Sequence, residues 1–147
     1  MRELPSSQQI LQMLTGKWMA QAISVAATLG VADLLIGGPQ TAEQLATSTS
    51  THPDSLYRLL RALASIGVFA ETEDGRFTLT PLAQCLRSDA PDTMRNWARL
   101  LALPLFWQSW GDLLHSVKTG ETGLKHTLGI LDFRLPICSE AWPQTEP

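Results

Sequence analysis

Cysteine is scarce in this 147-residue chain, with Cys85 and Cys138 the two present. Two cysteines build no disulfide scaffold and offer no zinc-binding spacing, so a reduced, cytoplasmic setting is expected. A basic surplus is lacking too. The formal net charge is −3, the wrong sign for a dedicated nucleic-acid binder. The first residues lack the basic-then-apolar order of a secretory leader. Internal repeats and low-complexity segments are absent. One uncharged stretch, Trp18 to Ala32, is shorter than the ~20 residues that span a bilayer, and Gly30 interrupts it. It reads as a buried helix, and no membrane partner is expected. The histidines His52, His115 and His126 show neither metal-ligand spacing nor a glutamate partner as in HExxH. Surface or capping roles are expected for them, with no catalytic residue and no metal assigned.

What the chain has is apolar content. Hydrophobic residues make up 44% of it, enough for a packed core and too much for a disordered chain. The stretch from Ser7 to Leu29 predicts one long helix, with Ser6 or Ser7 as cap. Ile10, Leu14, Trp18, Ala22 and Val25 form one stripe, while Met19, Ile23 and Ala26 make the other faces apolar. A helix apolar nearly all round needs cover on several sides. Either the rest of a monomer wraps it, or a second copy does. On the second reading Trp18, Met19, Ala22, Ile23, Val25 and Ala26 form a homodimer interface.

Gly30 suits the end of that helix, and Gly37-Gly38-Pro39 breaks the chain after a short apolar helix. Thr41 with Gln44 three residues on makes a capping-box pattern for the next helix. Pro53 opens another, on which Leu56, Leu59, Leu60, Leu63 and Ile66 recur at three and four. Val68–Thr72 and Arg76–Thr80 then alternate like strands around Asp74-Gly75. Two helices followed at once by a hairpin define a winged helix. From Thr93 to Val117 a further helical region carries Trp97, Phe106, Trp107 and Trp110, with Pro104 set to kink or split it. The fold class is therefore mainly α, with a winged helix-turn-helix core, one β-hairpin and long helices. Beyond Ile130 three prolines and the loss of any period mark an irregular tail.

Three runs in this order resemble a known family: Thr15–Leu35, His52–Pro91 and Phe106–Thr122. Leu56-Tyr57-Arg58-Leu59-Leu60-Arg61-Ala62-Leu63, the hairpin, then Thr80-Pro81-Leu82-Ala83 carry most of the likeness. The chain resembles the N-terminal dimerisation domain of SAM-dependent O-methyltransferases, in the bacterial branch of hydroxyneurosporene and polyketide O-methyltransferases. The resemblance implies a winged-helix unit over residues 1–129 whose long helices interlock with a second subunit. It also implies that SAM binds in a following Rossmann-like domain. No glycine-rich loop follows a strand in this sequence, so no cofactor and no complete active site are expected in this chain. The departure after Gly129 suggests either a truncated gene, in which the irregular residues 130–147 could be an out-of-frame tail, or a natural stand-alone domain. In complete members the helices after the wing wall a pocket for flat aromatic or polyene substrates. Phe106, Trp107 and Trp110 either do that here or simply pack a core.

A winged helix also raises the alternative of a DNA-binding transcriptional regulator. From Thr41 to Ala90 there are four arginines against six carboxylates, and Glu71, Glu73 and Asp74 stand at the wing tip. Phosphate neutralisation needs the opposite sign, so no nucleic-acid partner is expected. Arg58 is expected to pair with Asp54 four residues away.

Overall fold

The computed structural model describes residues 5–129. The expected tail, with Cys138, lies outside them. The chain divides into two compact units, the first ending at Ala102 and the second beginning at Leu103. The sequence pattern predicted one domain to Gly129. The division falls beside Pro104, which ends helical continuity because it has no amide to donate.

The first unit opens with α1, Ser6–Leu29. Pro5 precedes it and no side chain caps it, so neither Ser6 nor Ser7 takes the expected role. Gly30 ends α1 at φ +69°, a conformation costly for any residue with a Cβ. A side chain at Gly30 would also meet the Arg95 guanidinium at 3.2 Å. After this corner come α2, Val31–Leu34, and a single 3₁₀ turn, Leu35–Gly37.

The helix pair is α3, Ala42–Thr49, and α4, Pro53–Ser65. The capping box forms as the pattern predicts: Gln44 N–H donates to Thr41 Oγ1 and Thr41 N–H to Gln44 Oε1. On α4 the periodic residues Leu56, Leu60 and Leu63 are buried, while Ile66, past the helix end, stays exposed. Strands β1, Phe69–Glu71, and β2, Phe77–Leu79, pair antiparallel with Phe69 opposite Leu79 and Glu71 opposite Phe77. Gly75 turns the hairpin at φ +74°, and Thr72 Oγ1 donates to Asp74 Oδ1 at its tip. Gln40 adds a bridge to Phe77, exchanging both backbone bonds. The core between these elements centres on Phe69, Phe77, Leu45, Leu60, Leu63 and Val31, all fully buried. Tyr57 meets Phe77 edge-on at 5.9 Å.

Two helices complete the unit: α5, Pro81–Gln84, capped by Thr80, and α6, Arg95–Leu101, which packs on α1. The contact is fixed by one polar knot. Arg95 Nε donates to the Ala27 carbonyl near the end of α1 (3.2 Å), and Arg95 Nη1 pairs with Asp33 Oδ2 (2.5 Å). Asp33 Oδ1 accepts from Ser88 N–H at 2.8 Å and from Ser88 Oγ at 3.1 Å. A cation on the last carbonyls of α1 also complements the helix dipole.

The second unit consists of α7, Pro104–Gly111, α8, Leu113–Thr119, and α9, Gly123–Leu128. The region from Thr93 to Val117, expected to kink or split at Pro104, splits there and again at Asp112, giving three helices, α6 to α8. Gly120 stops α8 at φ +76°, and Thr122 Oγ1 caps α9 by accepting from Lys125 N–H. At Gly123 a Cβ would stand 2.5 Å from the Ser109 carbonyl oxygen. That glycine lets α7 and α9 come this close. No residue of α7 or α8 is fully buried.

Candidate functional site

The first candidate surface lies on α1. Its N-terminal half leaves Ile10, Leu11, Met13, Leu14 and Trp18 between 57% and 73% exposed. The helix holds one charged residue, Lys17. Further along, Met19, Ala22, Ile23 and Val25 are half-buried. Ala26, at 1% exposure, packs inside the chain's own core, as do Ala27 and Ser24. Of the six interface candidates, Ala26 is therefore turned inward and offers a partner no surface. A shallow apolar groove of about 230 Å³ runs between Trp18, Met19 and Ala22 on one side and Ala62, Leu63, Ser65 and Ile66 on the other.

The second candidate lies within the second unit. A hollow of about 370 Å³ is lined by Phe106, Ser109, Trp110, Leu113, Ser116, Thr122, Gly123 and Leu124. Phe106 and Trp110 thus share one apolar cavity, and Trp107, 41% exposed, is not part of its lining.

Beside that hollow the structure assembles a cluster that linear spacing hides. His115 and His126 stack with ring centroids 3.6 Å apart and 17° between planes. His115 Nε2 lies 3.0 Å from Glu121 Oε2, and Lys125 Nζ holds the other Glu121 oxygen at 3.0 Å. These two hydrogen bonds, that from His115 the stronger, keep the Glu121 carboxyl below its usual pKa. His126 Nε2 stands 3.6 Å from Asp112 Oδ2, and that buried oxygen has no hydrogen-bond partner among the described residues. Asp112, His115 and His126 can each place one ligand atom within 4.8 Å of the others. His115 is the third residue of α8 and so sits at its start, where a cation gains nothing from the helix dipole. The sequence signal available was Asp112 and His115 three apart. His126 joins them because the chain reverses at Gly120, which periodicity does not reveal.

The other reactive side chains are plain. His52 precedes α4 with its side chain unused as a cap. Cys85 is half-buried, its thiol 3.7 Å from the Pro81 carbonyl. Arg58 reaches Ser55 Oγ at 3.4 Å, in place of the expected Asp54. At the wing tip Arg76 is tied to Asp74 at 2.9 Å, and Glu71, Glu73 and Asp74 are exposed. Acidic groups therefore stand where a DNA-binding wing would meet phosphate. No single helix among the described residues is long and apolar enough to cross a membrane, though α1 and the bent segment to Gly37 pass that test as a pair. Ala26, Ala27, Val31 and Leu35 of that pair are core residues.

The first unit thus joins a helix pair, an acidic wing and a long first helix with an open apolar stripe. Residues 11–89 match the family model of the O-methyltransferase dimerisation domain, and the chain belongs to that family. Among individual proteins, it is 47% identical over 126 residues to a phenazine O-methyltransferase of Lysobacter antibioticus, covering 86% of this chain and 37% of that protein. It is 42% identical over 117 residues to a mitomycin biosynthesis 6-O-methyltransferase of Streptomyces lavendulae, covering 79% and 34%. The crystal structure of LaPhzM superposes with a TM-score of 0.82 at 46% identity, covering 86% of this chain and 38% of that one. The N,N-8-amino-8-demethyl-D-riboflavin dimethyltransferase from Streptomyces davawensis gives 0.79 at 32% identity, covering 86% and 38%. The chain spans a little over a third of the length of these relatives.

Proposed function

We propose that this chain is the homodimerising part of an S-adenosylmethionine-dependent methyltransferase subunit and that the open stripe of α1 is its interface. The observation that carries this reading is the exposure of Ile10, Leu14 and Trp18, four residues apart on one face. A continuous stripe of large apolar side chains marks a surface meant to be covered. The small residues Ala20 and Ala22 allow a second helix to come close, while Trp18, Met19, Ile23 and Val25 supply area. An obligate interface of this kind buries roughly 2,000 Å² or more in total. The hollow holding Phe106 and Trp110 suits one wall of a pocket for a flat aromatic methyl acceptor, in keeping with the substrates in the relatives' names. SAM is expected in the portion of the relatives that this chain does not span, and the working compartment is the cytoplasm.

The test is light scattering with far-UV circular dichroism on wild type, Leu14→Glu and Ile23→Glu. Wild type should be a dimer at tens of micromolar. Leu14 is 66% exposed and no part of the core cluster, so Leu14→Glu should give a folded monomer. Ile23 packs against the core, so Ile23→Glu should lose fold and association together. A wild type that stays a well-folded monomer would sink the proposal.

A further inference from the structure

Asp112 occupies the residue before α8, where a carboxylate ordinarily accepts from the first free amides of the helix. It makes no such bond. Its Oδ2 is instead buried, faces His126 Nε2 at 3.6 Å, and has no hydrogen-bond partner among the described residues. A carboxylate oxygen taken out of water without a donor is costly, and a bound cation would remove that cost. The neighbouring groups fit one. Two imidazoles stand together beside that oxygen, their centroids 3.6 Å apart, and imidazole nitrogen is a common ligand of metal ions. The carboxylates of Asp112 and Glu121 face the histidines, with the Lys125 ammonium on Glu121.

We propose that Asp112, His115 and His126 form a binding site for a divalent transition-metal ion of the zinc class. Two imidazoles and one carboxylate suit such ions, and hard-cation sites are built from oxygen instead. Donors at about 2.1 Å around a tetrahedral ion lie about 3.4 Å apart, close to the 3.6 Å between His126 Nε2 and Asp112 Oδ2. His115 ligates through the ring nitrogen that Glu121 does not hold, once side-chain rotation turns the two rings, stacked at 17° between planes, out of parallel so that both face one ion. Glu121 accepts from His115 Nε2 and orients the ring, as a carboxylate behind a metal-bound histidine does. The four side chains are between a quarter and a half exposed, so an ion enters from solvent and one coordination position stays open to water. The ion would clip α8 to α9 across the Gly120 turn, in a unit whose α7 and α8 bury no residue fully.

The experiment is titration of the full chain with Co²⁺ and Zn²⁺, followed by visible absorption and by histidine-ring nitrogen NMR. One equivalent should bind, with cobalt bands typical of nitrogen ligation and shifts in two of the three histidine rings. His52→Ala should leave all of this unchanged. His115→Ala and His126→Ala should each abolish saturable binding, and Glu121→Gln should weaken it by about 10- to 100-fold. Circular dichroism reports whether each variant folds, and the ring count in wild type and His52→Ala does not depend on that. No saturable binding, shifts in fewer than two rings, or binding that survives in a folded His115→Ala/His126→Ala double variant would overturn the proposal.

Discussion

Removing the Asp33 carboxylate is the sharpest test of how the first unit is held. Asp33→Ala deletes the acceptor for Arg95 Nη1, Ser88 N–H and Ser88 Oγ at once. Hydrogen bonds to a charged group contribute about 1.5–3 kcal/mol each when considered singly. They do not add here, because Asp33 and Arg95 side chains keep 26% and 22% of their exposure and water replaces part of what is lost. A fully buried pair broken on one side costs about 3–5 kcal/mol. The expected loss therefore falls lower, at about 2–3 kcal/mol. For a unit of roughly 100 residues that lowers Tm by about 10–20 °C.

The assay is urea unfolding at fixed protein concentration, since any association adds to apparent stability. A double-mutant cycle with Arg95→Ala isolates the pair, and its coupling should be about 1 kcal/mol or more. Arg95 also holds the Ala27 carbonyl, so Arg95→Ala should cost at least as much as Asp33→Ala. A loss under about 0.5 kcal/mol, the range of an ordinary surface change, would refute the idea that this knot fastens α6 to the α1 corner.

Thr41→Ala should cost about 1 kcal/mol in the same assay, because it breaks the capping box at α3; Thr41→Ser should restore most of it. The Glu43 carboxyl is held below its usual value by its own backbone amide and then by Thr41. Asp89 is held down chiefly by its hydrogen bond from Arg87. A depressed carboxylate stabilises the fold above its unfolded pKa and loses that contribution as pH falls through the folded value. Unfolding monitored by circular dichroism should therefore show stability falling on acidification below the ordinary carboxylate range, and Thr41→Ala should flatten that limb. Gly123→Ala should destabilise α7–α9 by about 1–3 kcal/mol, read as lost amide protection there, because its Cβ would meet the Ser109 backbone. Calorimetry of the 147-residue chain with SAM should show no saturable heat.

Where a local rule decides an element, the sequence predicts it closely. Thr41 and Gln44, Pro53, Asp74-Gly75 and the stop at Gly30 each act through bonds within four residues, and each forms where the pattern places it. The leucines at three and four on α4 name the core face for the same reason. The start of α1 goes the other way: Ser6 and Ser7 are good caps in isolation, yet Pro5 takes the cap position and no hydroxyl is used. The interval from Thr93 to Val117 also departs from its pattern. A proline forecasts one break, but nothing in the apolar spacing announces the second at Asp112, where the carboxylate leaves the helix start and faces the histidines.

The sites divide along the same line. An open stripe on α1 is visible as periodicity, because i and i+4 on one helix are neighbours in space by construction. What periodicity cannot say is which turn of the helix the monomer already uses, and this is why Ala26 reads like Ala22 until the core is assembled around it. The histidine cluster lies beyond either argument. Its members are separated by a chain reversal, and Asp112 Oδ2, without a partner among the described residues, is defined by burial, a property no spacing carries. Side chains brought together across a turn without completing one another's bonds stand apart from ordinary packing. That distinction makes the cluster at the α8–α9 turn a functional candidate, while His52, exposed before α4, is none.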